Sequence, residues 1–363
     1  MIVWVVCSIA VFLVVMLLVA AICWHRRKNR VNGPDVEKEA IDKGMMRISG
    51  DWKVKGKKNL PPGRLLGGRW RIGERVAGGG SATVYGVTDE QTQDRGVIKV
   101  VEKRHELINM EIHVLQMLIG RAHFPQMLGF GTSDPLQYVA MSRLGPSITM
   151  NLVDCGVIFS LSAGSACRIA MDILVALKTL HEVGVVHRDV KPQNICVGME
   201  GRPDHREVYL IDFGGARVWA DKDEATGIFV GPVDDLWMLI YSLAYITGTL
   251  PWEKWSQDQM TEMRAAKAAT DDATLLAAFP PKMQEIPALL RAYTNCCRPN
   301  YAKIYEILAE ILDGRPAHER MEWPWETTPC ALLRCFRRLT GRRAAMAKRR
   351  ADIAFLTHNG LGF

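Results

Sequence analysis

The chain has 363 residues, 48% of them hydrophobic and 23% charged, with a mean hydropathy near zero. Those values exclude a wholly disordered chain, a collagen-like repeat and a polytopic membrane protein. Its formal net charge of +7 is unevenly placed: 12 basic and 5 acidic side chains in residues 25–68, 8 and 1 in residues 327–363, and 26 and 33 in the body between them. An acidic body between two basic flanks carries no basic stripe for a phosphate backbone, so no nucleic-acid partner is expected.

Residues 2–24 form a run of 23 without a charge, in which Ser8 is the one frankly polar side chain. As a helix rising ~1.5 Å per residue it would be about 34 Å long, enough to cross a hydrocarbon core. Residues 1–24 therefore read as a membrane anchor. Arg26, Arg27, Lys28 and Arg30 follow at once and place the downstream chain in the cytosol. A cleaved signal peptide is the alternative; the length of the run and the lack of a basic segment before it count against that. The nine cysteines form no CxxC pair, which reads as scattered buried thiols rather than a disulfide framework or a zinc site.

Residues 25–68 are Lys/Arg-rich, hold Pro34, Pro61 and Pro62, and read as a juxtamembrane linker. From Arg69 the texture changes. Strands are predicted over 83–87, 96–101 and 138–141, and a helix over 107–118. After Gly145 apolar spacings near three and four predict helices over 166–183, 236–247 and 302–312. A small strand-rich part before a larger helical one predicts an α+β fold with two lobes over 69–326. There is no internal repeat.

The chemistry-bearing residues concentrate in two segments: His187-Arg188-Asp189-Val190-Lys191-Pro192-Gln193-Asn194, and Asp212-Phe213-Gly214. In this order and spacing they resemble the catalytic and metal-binding loops of eukaryotic protein kinases. Phosphoryl transfer needs a group that accepts the hydroxyl proton, cations on the phosphate oxygens, and oxygen ligands that place those cations. The resemblance assigns Asp189 to the first role and Asn194 and Asp212 to Mg2+. Lys191 matches the serine/threonine class, in which this lysine meets the γ-phosphate of ATP. Upstream, Lys99 would pair with the α- and β-phosphates and Glu111 would hold Lys99. The stretch from Val76 to Tyr85 aligns with a phosphate-covering loop, with Val76 and Val84 flanking the nucleotide and Gly79 where the backbone comes closest to phosphate. Ala77 and Ala82 stand where that pattern has its outer glycines.

Five further stretches narrow the resemblance. They are Met141-Ser142-Arg143-Leu144-Gly145-Pro146-Ser147, the catalytic loop from His181 to Asn194, Asp234-Asp235-Leu236-Trp237 with Leu250-Pro251-Trp252, Arg298-Pro299-Asn300-Tyr301, and Trp323-Pro324-Trp325-Glu326. Together they are similar to the casein kinase 1 superfamily, nearest its tau-tubulin kinase branch. That implies a bilobal kinase fold, Met141 as gatekeeper, backbone groups of Ser142 to Leu144 on adenine, and Asp235 as a buried anchor beneath the catalytic loop. The implied activity is transfer of phosphoryl groups from ATP to serine and threonine of protein substrates.

One departure stands out. Asp235 comes only 23 positions after Asp212, about half the family's usual spacing, so the segment near 215–233 that docks peptide substrates is shortened. The alternative expectation is accordingly a pseudokinase that serves as a membrane-tethered, nucleotide-binding scaffold. Retention of Lys99, Asp189 and Asp212 favours the catalyst. The tail, 327–363, has Leu332, Phe336 and Leu339 near one helical face among arginines, a pattern suited to a membrane surface.

Overall fold

A computed structural model describes residues 60–78, 82–102, 106–154, 161–219, 231–252, 260–293, 298–314 and Trp323. By compactness, residues 51–253 and 264–363 make one unit, which holds all that follows except residues 260–263; residues 1–50 and 254–263 make the other, of which only those four residues, the start of one helix, are described. The expected anchor, the tail and residues 220–230 lie outside the described residues. Within them, no helix is long and apolar enough to cross a membrane.

The first part is a six-stranded antiparallel sheet in the order β1-β2-β3-β4-β6-β5. Its strands are β1 (Leu65–Leu66), β2 (Trp70–Gly78), β3 (Ala82–Asp89), β4 (Arg95–Glu102), β5 (Met127–Ser133) and β6 (Leu136–Ser142). Side chains alternate across a strand, and β4 uses that period directly. Ile98 and Val100 are buried with Trp70, Ile72 and Tyr85 in the sheet's apolar cluster, while Lys99 between them faces the other way.

The folded part begins earlier than composition suggested. Residues 60–68, expected to be linker, carry β1; Leu60 and Leu66 are buried in the same cluster, and Tyr85 Oη accepts a hydrogen bond from the Leu60 N–H at 3.1 Å. Arg69 then pairs with the buried Asp89 at 2.6 Å, which holds the Asp89 carboxyl at about 2.

Helix α1 (Glu106–Met117) lies between β4 and β5 in the chain. Ile108, Glu111, Ile112 and Leu115 fall on one helical face and are all buried. A carboxylate in an apolar stripe is costly unless it is paired. That requirement ties Glu111 to the sheet.

The second part is helical. After α2 (Ile148–Asp154) comes α3 (Ala163–Glu182), capped by Ser162, whose hydroxyl accepts from the Ser165 N–H. Buried on nearly every face, α3 is the central helix, with α4 (Pro232–Ile246) and α8 (Tyr301–Asp313) packed against it. Gly184, with φ +78°, ends α3 in the left-handed conformation that suits glycine and turns the chain into β7 (Val185–Val186). Two small ribbons follow: β8 (Ile195–Val197) pairs with β9 (Val208–Leu210), and β7 with β10 (Arg217–Val218). Helices α5 (Met260–Ala269), α6 (Asp272–Leu275) and α7 (Glu285–Ala292) precede α8. Among the described residues Cys167 and Cys196 are buried and form no disulfide, and burial pushes the Cys196 thiol up to about 12.

Candidate active site

The site is assembled from β4, α1 and the loops on either side of β8 and β9. Lys99 Nζ lies 2.7 Å from Glu111 Oε2 and 2.7 Å from Asp212 Oδ1. One cation therefore joins the sheet, the helix and the loop after β9. Burial opposes the charge on Lys99, but the two carboxylates outweigh it and hold the ammonium above its ordinary range. Burial pushes the Glu111 carboxyl up against the pull of Lys99. It acts on Asp212 in the same sense, yet the charge and hydrogen bond of Lys99 bring that carboxyl below its usual range.

Asp212 owes its position to Phe213. The Phe213 ring is fully buried between Phe124, at 5.9 Å between centroids, and His187, edge-on at 5.2 Å. With Phe213 seated inward, the backbone at Asp212 takes φ +69°, a conformation a non-glycine residue keeps only where its surroundings impose it. The carboxylate then faces Lys99.

The catalytic-loop candidates converge likewise. Asp189 Oδ2 accepts from Lys191 Nζ at 2.7 Å and from Asn194 Nδ2 at 2.9 Å, and Asn194 Nδ2 also donates to the Asp189 carbonyl. Because the Asn194 amide spends its nitrogen on Asp189, its oxygen is left as a hard donor. With the ionised, part-exposed Asp212 carboxylate, that makes an oxygen set suited to a magnesium ion. The loop itself is hung from Asp235, which is fully buried in the first turn of α4. Its carboxylate accepts from the N–H groups of His187 at 2.7 Å and Arg188 at 2.8 Å, and lies 2.9 Å from His181 Nε2. Arg188 has φ +68°, so these bonds hold a strained residue directly before Asp189.

Of the expected nucleotide contacts, Val84 pairs in register with Lys99 on one side and Ala77 on the other, and Val76 lies exposed two residues before the end of β2. Gly79, which follows β2 in the chain, is outside the described residues. Met141 is buried in β6 opposite Val97. Ser142 and Leu144 follow as the strand gives way to α2, with Ser142 Oγ accepting from the Gln126 N–H.

Two contacts escaped sequence reasoning. Arg143 Nη1 lies 2.6 Å from Glu74 Oε1 and links β2 to the segment after β6; Gly86 makes room for it, since a Cβ there would sit 2.9 Å from that oxygen. The Tyr301 hydroxyl lies 2.7 Å from His181 Nδ1. Nothing in the sequence marked the first, and the Arg298-Pro299-Asn300-Tyr301 stretch marked the second without stating its use.

Comparison with known proteins agrees with this geometry. A profile described as the protein kinase domain matches residues 70–233. The chain is similar to a Caenorhabditis elegans protein named as a serine/threonine-protein kinase, at 28% identity over 71% of this chain and 82% of that protein. It is also similar to a protein of the same organism named as a casein kinase I (32%, over 54% of this chain and 65% of the other) and to a casein kinase 1-like protein of Oryza sativa subsp. japonica (28%, over 68% and 38%).

Proposed function

We propose that this chain, a protein serine/threonine kinase by its domain and its relatives, transfers the γ-phosphoryl group of ATP to serine and threonine hydroxyls of protein substrates. The observation that carries the reading is the pairing of Lys99 with both Glu111 and Asp212, beside a loop in which Lys191 and Asn194 converge on Asp189. Lys99 takes the α- and β-phosphates and Glu111 fixes Lys99. Asn194 and Asp212 hold magnesium, which when bound neutralises charge on the phosphate oxygens. Asp189 orients the acceptor hydroxyl and takes its proton as the oxygen bonds to phosphorus and ADP leaves. Lys191, next to Asp189, balances charge on the moving phosphoryl group.

The stretches at 141–147, 298–301 and 323–326 support a place near the tau-tubulin kinase branch. The apolar run 2–24 and the basic residues after it support a membrane anchor with the kinase domain in the cytosol, and the basic tail would add a second contact with the same leaflet. Alkaline extraction of membranes should leave the chain in the pellet; its release would remove the anchor from the account. The short spacing of 23 positions from Asp212 to Asp235 favours a second reading, a scaffold that binds nucleotide without turnover.

The test is transfer from labelled Mg-ATP to a mixture of serine, threonine and tyrosine peptides, followed by acid hydrolysis. Phosphoserine and phosphothreonine are expected. Phosphotyrosine as the main product would overturn the acceptor class, and ATP binding without any product would select the scaffold.

A further inference from the structure

The Arg298-Pro299-Asn300-Tyr301 stretch has no part in the chemistry above, yet its local structure is well specified. Asn300 caps α8 by accepting from the Lys303 N–H at 3.0 Å, and the Tyr301 N–H donates to the Pro299 carbonyl at 3.1 Å. The helix therefore starts at a fixed residue, and its first side chain falls on His181 near the end of α3. Tyr301, His181 and Asp235 are all buried.

The direction of each hydrogen bond follows from charge. Burial alone would raise the Asp235 carboxyl, but the hydrogen bonds it accepts, from His181 and from the His187 N–H, keep it below its ordinary range, so it is an ionised acceptor. His181 Nε2, 2.9 Å away, carries the proton. In the neutral ring Nδ1 is then an acceptor. Burial pushes the Tyr301 hydroxyl far above its usual range, so it stays protonated and donates to Nδ1. Tyr301 orients His181, His181 satisfies Asp235, and Asp235 holds the N–H groups of His187 and Arg188.

We propose that Tyr301 is a positioning residue for phosphoryl transfer, acting through His181 and Asp235 on the strained backbone that precedes Asp189. Helix α8 thereby reports its docking to the catalytic loop, on a path that includes none of the groups assigned to the nucleotide. The inference rests on the kinase reading above.

Tyr301→Phe in the full chain keeps the ring and removes the hydroxyl. It is expected to lower kcat about tenfold, as for a buried hydrogen bond lost from a charged network, while KM for ATP stays within about twofold. Ile304→Val, on the same helix, removes a buried methyl group without touching the relay and should leave kcat unchanged. In a His181→Gln background Tyr301→Phe should cost nothing further, since residues acting as one unit are not additive. A readout independent of turnover is hydrogen exchange at the His187 and Arg188 amides, which should quicken in Tyr301→Phe and not in Ile304→Val. Unchanged exchange, an unchanged kcat or additive losses would each overturn the proposal. Faster exchange in a chain that transfers no phosphoryl group would uphold the link from Tyr301 to the loop and remove the kinase reading instead.

Discussion

Asp235→Asn is expected to lower kcat by about 100-fold or more and to destabilise the fold by about 2–4 kcal/mol. Three donors converge on the two carboxylate oxygens of Asp235: the His187 N–H, the Arg188 N–H and His181 Nε2. Asparagine offers one oxygen and one NH2 group of nearly the same size. Whichever way the amide turns, at least one donor faces another donor in a fully buried site. The loss of charge also removes an anion from the first turn of α4, where the helix dipole favours one. Arg188 would then relax from φ +68°, and Asp189 would move with it. A displacement of about 1 Å at a reacting group suffices for the predicted kinetic loss. Urea unfolding and steady-state kinetics check both parts. Near-normal kcat in the folded variant would show that the loop does not need this anchor.

Trp323→Ala is expected to cost about 3–5 kcal/mol of stability, with kcat per folded molecule little changed. The indole is 1% exposed, among the largest fully buried side chains of the described residues, and the Arg168 guanidinium of α3 lies 3.9 Å above its ring. Truncation removes the packing and the cation–π contact together. Trp323→Phe, which keeps a ring under Arg168, should lose less than half as much. A loss below about 1 kcal/mol for alanine would show that the segment beyond α8 is not part of the fold's core.

Much of the helical part was legible because it rests on local periodicity. The apolar spacing after Gly145 located α3, α4 and α8 to within a few residues, and the strand-like run over 96–101 located β4. Residues 60–68 were not legible in that way. They are rich in Pro and Gly, and they fold by pairing with β2 and burying Leu60 and Leu66 in a cluster built from other strands. No local pattern records such a contact. The site divides along the same line. Motif spacing named Lys99, Glu111, Asp189, Asn194 and Asp212, but that a single ammonium would meet two carboxylates drawn from a helix and a distant loop is a fact of tertiary packing. The relay from Tyr301 to His181 spans 120 residues, and although both ends lie in stretches that carry the family resemblance, nothing in the sequence says that they touch.

The central claim is that Asp189 serves catalysis while other residues bind the nucleotide. Its most direct test is phosphoryl transfer and ATP affinity measured side by side in the wild type and in Asp189→Asn. The amide preserves size and still accepts from Lys191 or Asn194, but it cannot take up a proton. Transfer should fall by about 1,000-fold, with ATP affinity within about threefold of the wild type. Retained transfer, or loss of transfer and binding together, would contradict the role assigned to Asp189.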